Sequence, residues 1–231
     1  YIDNDEGTVV STVTVNTSNI NSNNNAGLTV FSDGIITLKD VTANNNGGDG
    51  IHLDNTFGAF VSGITFSGST IASDNSGDGI EAFSDGAITA SNLVANSNVR
   101  NGAWLQNDSA LTALAVTLTG PSNQFKFNGF DGLNIYSDGA ITLNSINANN
   151  NHGVGTYLDN DYDLLIGLAN VTLTGTNNFM ENFFDGLAIH SDGVVTLNNI
   201  TATDNGTSNG SGYGAFIDNS GASSLAPKAV T

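Results

Sequence analysis

The sequence predicts an all-β fold, a parallel β-helix in which each turn of chain lies against the turn before it. Three observations carry that prediction. The chain repeats itself at a period of about 52 residues, its apolar residues alternate with polar ones in short runs, and no stretch shows the 3.6-residue period of a helix.

The phrase DGLNIYSDGAITLNSINANNN at Asp131–Asn151 has relatives at Ala26–Asn46, Asp78–Asn98 and Asp185–Asn205. The serines of its Ser-Asp-Gly triplet, Ser32, Ser84, Ser137 and Ser191, stand 52, 53 and 54 residues apart. A looser unit lies between the copies: GIHLDN at Gly50–Asn55, GAWLQN at Gly102–Asn107, GTYLDN at Gly155–Asn160 and GAFIDN at Gly214–Asn219. The chain opens on the tail of that phrase, Tyr1–Asn4. Each repeat is therefore two unequal rungs, an SDG rung of about 23 residues and an LDN rung of about 28–31.

Each rung divides into three runs with period-2 alternation, the mark of half-buried strands. In an SDG rung these are Leu133 with Ile135, then Ile141 with Leu143 after the Ser-Asp-Gly turn, then Ile146 with Ala148 before an Asn-rich corner. We expect Leu133, Ile135, Ile141 and Leu143 to be buried together. The LDN rungs place Val13 and Val15, Ile64 and Phe66, Val116 and Leu118, and Val171 and Leu173 in the second run. Ile20, Ile71, Phe125 with Phe127, and Phe179 fall in the third. Their extra length, 161–169 for example, predicts protruding loops. Stacked at the ~4.8 Å strand spacing, residues 1–219 make about eight full rungs plus a partial first one, a rod of roughly 40 Å. Residues 220–231 leave the pattern and form a tail or cap.

Three columns fix the register. Glycine opens each rung (Gly27, Gly50, Gly79, Gly102, Gly132, Gly155, Gly186 and Gly214), where the corner needs positive φ or close backbone approach. Asn23, Asn44, Asn96, Asn128, Asn149 and Asn182, with Asp74 and Thr203 as departures, follow the third strand as a predicted Asn column able to bond from rung to rung. Thr14, Thr37, Thr65, Thr89, Thr117, Thr142, Thr172 and Thr196 face outward on the second strand.

Composition narrows the function. A net charge of −18 with four basic residues, Lys39, Arg100, Lys126 and Lys228, argues against a nucleic-acid partner, because phosphate binding rests on Lys and Arg. Absence of cysteine removes disulfides, zinc–thiolate sites and thiol catalysis. No apolar run approaches the ~18–20 residues of a membrane-spanning helix, so membrane insertion is not expected.

With its Asn-rich corners, apolar-x-apolar strands and rung length, the chain resembles the right-handed parallel β-helix superfamily, the pectate-lyase-like fold, in its repetitive bacterial surface and adhesin form. That resemblance implies an extracellular or cell-surface protein, and members include both surface stalks and polysaccharide lyases and hydrolases.

The outward face of the first strand is the candidate site. Its first outward position in LDN rungs holds Tyr1, His52, Trp104, Tyr157 and Phe216; its second in SDG rungs holds Phe31, Phe83, Tyr136 and His190. Rings thus zigzag along one face, like positions recurring every second rung at about 9.6 Å. Asp3, Asp54, Asp159 and Asp218 interleave them, with Gln106 replacing one. The pattern serves either cross-rung stacking or a platform for glycans or a partner. Catalysis finds little support: no Lys or Arg lies on this face and no carboxylate pair stands beside His152, so no catalytic residue is assigned. Hard oxygen ligands make Ca²⁺ at Asp5 with Glu6, and at Asp161 with Asp163, a candidate, although Asp-Gly is also ordinary turn chemistry. No cofactor is required.

The leading expectation is a non-catalytic structural or adhesive segment of a surface or filament-forming protein. A polysaccharide-binding or polysaccharide-cleaving β-helix is the alternative. An ice-binding threonine face comes third, weakened by the mixed neighbouring column Asn16, Lys39, Ser67, Ser91, Thr119, Asn144, Thr174 and Asn198. The uncapped first rung makes a second copy, joined head to tail, the expected partner.

Overall fold

The computed structural model describes residues 1–5, 11–57, 61–108, 112–161, 169–207, 210–220 and 229–231. Among them it contains strands and no helix, and every strand pairing is parallel. The first runs form one nine-stranded sheet, in the order Ile2–Asn4, Leu28–Ser32, Ile51–Asp54, Ile80–Phe83, Ala103–Gln106, Leu133–Tyr136, Thr156–Asp159, Leu187–His190 and Ala215–Asp218. SDG and LDN rungs alternate along it, as the paired repeat requires. Nine strands in strict order mean about eight turns.

The second and third runs join into one 13-stranded sheet rather than two. Val13–Asn19, Ile36–Thr42 and Ile64–Ile71 each run through both without a break. The bend between the runs rests on one left-handed residue per turn, at Thr17, Asp40, Gly68, Asn92, Gly120, Ser145, Gly175 and Asn199. The threonine column holds its register through all eight turns, from Thr14 opposite Thr37 to Thr172 opposite Thr196.

The core lies between the sheets. Leu133, Ile135, Ile141 and Leu143 are all fully buried, as expected. At the third run, large and small side chains interlock between rungs. SDG rungs present Val41 with Ala43, Leu93 with Ala95, and Ile146 with Ala148; two LDN rungs answer with Asn123 and Phe125 and with Asn177 and Phe179, while the rung of Ile64–Ile71 presents Thr70 and Ala72. Each phenyl ring thus occupies space that alanines leave free, which keeps packing dense without strain. The two asparagines are satisfied inside: Asn123 Nδ2 donates to Thr119 O and Asn144 O while its Oδ1 accepts Leu93 N–H. Two expected core residues face outward instead. Phe127 is 59% exposed, and Ile71 is half-buried while its neighbours Thr70 and Ala72 point in.

The Asn column also sits differently from the expectation. The hydrogen-bonded ladder runs Asn23, Asn46, Asn75, Asn98, Asn128, Asn151, Asn182 and Asn205, each Nδ2 donating to the next Oδ1 at 2.9–3.1 Å. Asn44, Asn96 and Asn149 stand two residues earlier, where each Oδ1 accepts one main-chain N–H from the following turn. The residue immediately before each ladder asparagine is left-handed, from Ser22 (φ 60°) to Asp204 (φ 58°), and this turns the amide inward. Thus Asp74 and Thr203 are not gaps in the ladder, which passes through Asn75 and Asn205.

The opening glycines answer to close approach alone, since none has positive φ. A Cβ at Gly50 would lie 2.6 Å from Asn75 Nδ2 and 2.6 Å from Gly79 O. The glycine column is therefore the space into which the Asn ladder fits. At the far end Ala229–Thr231 returns to pair beside Val195–Leu197, where a further turn's second strand would lie. No helix among the described residues is long and apolar enough to cross a membrane.

Candidate ligand-binding face

The nine-stranded sheet turns alternate residues outward, and its two outward columns alternate in turn. Where one column carries a ring, the register partner in the other is short or polar. Trp104 lies between Glu81 and Asn134, and Tyr157 between Asn134 and Ala188. Rings on adjacent strands therefore meet diagonally. Tyr1, Phe31, His52, Phe83, Trp104, Tyr136, Tyr157, His190 and Phe216 form an unbroken ladder with centroids 5.4–6.1 Å apart, edge-to-face at the start and tilted further along. All nine expected rings are brought together, and the contacts are closer than the 9.6 Å between like positions. Phe57 and Tyr213 extend the cluster sideways onto Phe31 and Phe216. Of the nine ladder rings all but the exposed Tyr1 are half-buried, whereas the flanking Phe57 and Tyr213 are exposed. Such pairs contribute about 0.5–1.5 kcal/mol each beyond the area they bury.

The interleaved carboxylates have local partners. Tyr1 and Tyr157 donate their hydroxyls to Asp3 and Asp159 at 3.1 and 3.2 Å. Asp54 accepts the N–H and hydroxyl of Thr56, and Asp218 those of Ser220. Gln106 donates to Asp108. Burial, with Asp159 beside it, pushes the Tyr157 phenol well above its ordinary range, and burial raises Tyr136 as well. Of the calcium candidates, Glu6 and Asp163 lie outside the described residues. Asp5 stands against Asp3, which raises its pKa; burial and then Asp159 push Asp161 to about 6. The aspartates before the opening glycines hold the corners: one oxygen of each of Asp78, Asp131 and Asp185 accepts a main-chain N–H from the next turn.

The sequence reading missed a polar cluster on neighbouring strands. His52 Nδ1 lies 2.7 Å from Glu81 Oε2, and Arg100 reaches back from its corner to within 3.3 Å of Asp78 Oδ2. The bond to Glu81 raises the His52 pKa, and the same bond holds Glu81 below its usual value. Burial pushes Asp78 up to about 6. The available signal was Glu81 itself, the one charged residue in a column that otherwise reads Thr29, Asn134 and Ala188 in SDG rungs.

Beside the cluster is a groove of about 400 Å³ between ladder and corner, lined by Arg100, Trp104, Phe130, Asn134, Tyr136 and Phe184 among others. Phe130 and Phe184 are exposed corner rings two turns apart, and Gly153 between them leaves the gap. The groove thus combines aromatic faces with a guanidinium and an amide.

Comparison with curated protein sequences gives no match. Among solved structures, the A-module of mannuronan C-5 epimerase AlgE4 from Azotobacter vinelandii is similar, with a TM-score of 0.60 over 97% of this chain at 14% identity. This chain spans 65% of that module's length, and at such identity the likeness is one of fold. The family model for the right-handed beta helix region matches residues 1–161, more than half of the chain, and the chain belongs to that family.

Proposed function

We propose that the chain is a non-catalytic, extracellular, rod-like adhesive segment whose nine-stranded face binds a neutral polysaccharide along its axis. The carrying observation is the continuous ladder of nine half-buried or exposed rings along that one face. Aromatic faces bind the apolar faces of sugar rings, and the interleaved Asp and Gln side chains supply acceptors and donors for hydroxyls. The groove at Trp104 gives the polymer a place to seat one residue. Charge selects the class of glycan. The structural neighbour acts on mannuronan, a uronate polymer, but a chain of net charge −18 with carboxylates between its rings repels polyanions.

Affinity electrophoresis in gels containing neutral glucans, mannans and xylans, beside a uronate polymer, tests this reading. Wild-type mobility should fall in at least one neutral gel, with less retardation for Trp104→Ala and Tyr157→Ala. Mobility unchanged in every neutral gel, or equal retardation of all three proteins, would sink it. Oligosaccharide released from the retained polymer would instead assign the face to catalysis.

A further inference from the structure

A repeat offers its own control: what the fold demands, every rung supplies. Side chains that leave the repeat together, at one place, answer to something else. Three such departures meet on the strands Ile51–Asp54 and Ile80–Phe83 and the corner that leads into the first of them. His52 stands where the other described LDN strands from the fifth onward carry Trp104, Tyr157 and Phe216; Glu81 stands where other SDG strands carry Thr29, Asn134 and Ala188. Asp49 is the third: aspartate before the opening glycine is ordinary in SDG rungs, as at Asp78, Asp131 and Asp185, but Asp49 alone carries it on an LDN rung and so sets two aspartates on successive rungs. Beyond them that position reads Asn101, Asp131, Val154, Asp185 and Tyr213, never two acids in succession.

The donor atoms of Asp49, His52 and Glu81 all lie within 4.8 Å of one another, and all three side chains are half-buried. Asp49 is held in place through Oδ1, which accepts the Asp78 N–H at 2.8 Å. Behind the three, the Asp78 side chain is completely buried and lies against Glu81. Its Oδ1 accepts the Asn101 N–H, but its Oδ2 accepts no hydrogen bond, with only the half-exposed Arg100 guanidinium 3.3 Å away. That oxygen is ion-paired with a guanidinium that is itself half-exposed, so a cation held beside Glu81 would add to the compensation of a buried charge. Three carboxylates against one guanidinium leave two formal negative charges, the complement of one divalent ion. The donor set of one imidazole nitrogen with carboxylate oxygens suits a first-row transition ion better than calcium, which takes oxygen ligands throughout.

We propose that Asp49, His52 and Glu81 bind a divalent ion of the zinc–manganese class, with Asp78 as the buried carboxylate behind it. Ligands at the usual bond lengths of ~2.0–2.2 Å stand roughly 3.0–3.4 Å apart, so the 2.7 Å His52–Glu81 pair opens slightly, exchanging its hydrogen bond for the ion, while the wider separations, within 4.8 Å, close. The site cross-links adjacent rungs at the start of the ring face. It is independent of whether that face binds glycan.

The repeat also supplies the variants. His52→Phe keeps a ring between Phe31 and Phe83, so the ladder survives while the nitrogen ligand is lost. Glu81→Thr installs the residue that Thr29 already provides on another SDG strand. Untagged, chelator-treated full chain is titrated with Zn²⁺ and with Mn²⁺ by calorimetry at neutral pH, with Ca²⁺ as the comparison, and thermal melts follow with and without the ion. We expect one ion of Zn²⁺ or Mn²⁺ per chain and a melt raised by it. Each variant should melt cooperatively without metal, bind at least about tenfold more weakly and lose the shift. No binding at 100 μM of either ion would overturn the proposal. So would binding that survives both substitutions, which would place the ion elsewhere. Equal binding of Ca²⁺ that persists in His52→Phe would show that the imidazole is not a ligand and would overturn it as well.

Discussion

Asn128 is the most demanding test of how this solenoid is held together. It is 1% exposed and makes four side-chain hydrogen bonds. Its Nδ2 donates to Asn151 Oδ1 at 3.0 Å and to Ala95 O at 3.1 Å; its Oδ1 accepts from the Asn98 N–H at 3.0 Å and from Asn98 Nδ2 at 3.1 Å. Asn128→Ala removes all four and strands the Asn98 N–H and carboxamide without their acceptor. A buried donor or acceptor left unpaired costs about 1–3 kcal/mol, so we expect a loss of roughly 3–5 kcal/mol, reduced if water enters. Asn128→Asp should be worse at neutral pH, because its second oxygen would face Ala95 O and Asn151 Oδ1, both acceptors, and acid should relieve it. The control is Asn149→Ala. That side chain accepts one main-chain N–H, from Met180, and its amide meets only Asn147 Oδ1, so about 1 kcal/mol is expected. Solenoids lose stability turn by turn, so urea unfolding should be paired with amide exchange, where protection should fall first around Ala95–Asn98. Equal effects at Asn128 and Asn149, or a loss below about 0.5 kcal/mol at Asn128, would refute the reasoning.

Leu143→Asp places a carboxylate in the fully buried middle of a rung and should unfold at least the adjacent turns; an unchanged thermal melt would contradict the register. Phe127→Asn should stabilise by about 0.5–1 kcal/mol, because Phe127 is exposed and left-handed (φ 58°), where asparagine is tolerated; a lower melting temperature would mean the ring makes a contact that matters. Asp161 titrates near 6 in the folded chain, through burial and Asp159, against about 3.9 unfolded. The native state therefore holds the extra proton between those values, and stability should fall as pH rises from about 4 to about 6. Asp161→Asn should raise the melting temperature at pH 7 and leave it unchanged at pH 3.5, a difference that melts at the two pH values measure directly.

The fold was readable because period-2 alternation and a 52-residue echo leave few other ways to bury so many valines, leucines and isoleucines. Each inward pair named for the second run, from Ile64 and Phe66 to Val171 and Leu173, lies in the core. Errors came at the corners, where chain direction depends on one left-handed residue rather than on hydropathy. Counting from the third strand chose Asn44, Asn96 and Asn149, whereas the left-handed residues Asn45, Ser97 and Asn150 turn Asn46, Asn98 and Asn151 inward. The joining of the second and third runs into one sheet was illegible for the same reason, since the sequence does not show that one bent residue can leave two runs hydrogen-bonded together. The nine rings were found by column, but their contact was not, because diagonal packing depends on the short residues between them. The His52–Glu81 pair was missed because only the ring-bearing position of each rung was followed.

Cohesion and the glycan recognition proposed for the ladder do not compete. Edge-to-face packing uses the rim of one ring against the face of the next, so each ring turns some surface toward solvent while touching both neighbours. The interior does not need this ladder: both sheets already close over a continuous apolar core, and the Asn ladder joins the turns at the corner. Rings beyond that requirement, repeated at strand spacing, give a rigid surface whose contact points are ordered before any ligand arrives, so little conformational entropy remains to be lost on binding. That preorganisation favours a long, regular partner over a small one. Each added strand extends the surface by ~4.8 Å, and a polymer can engage many weak sites at once.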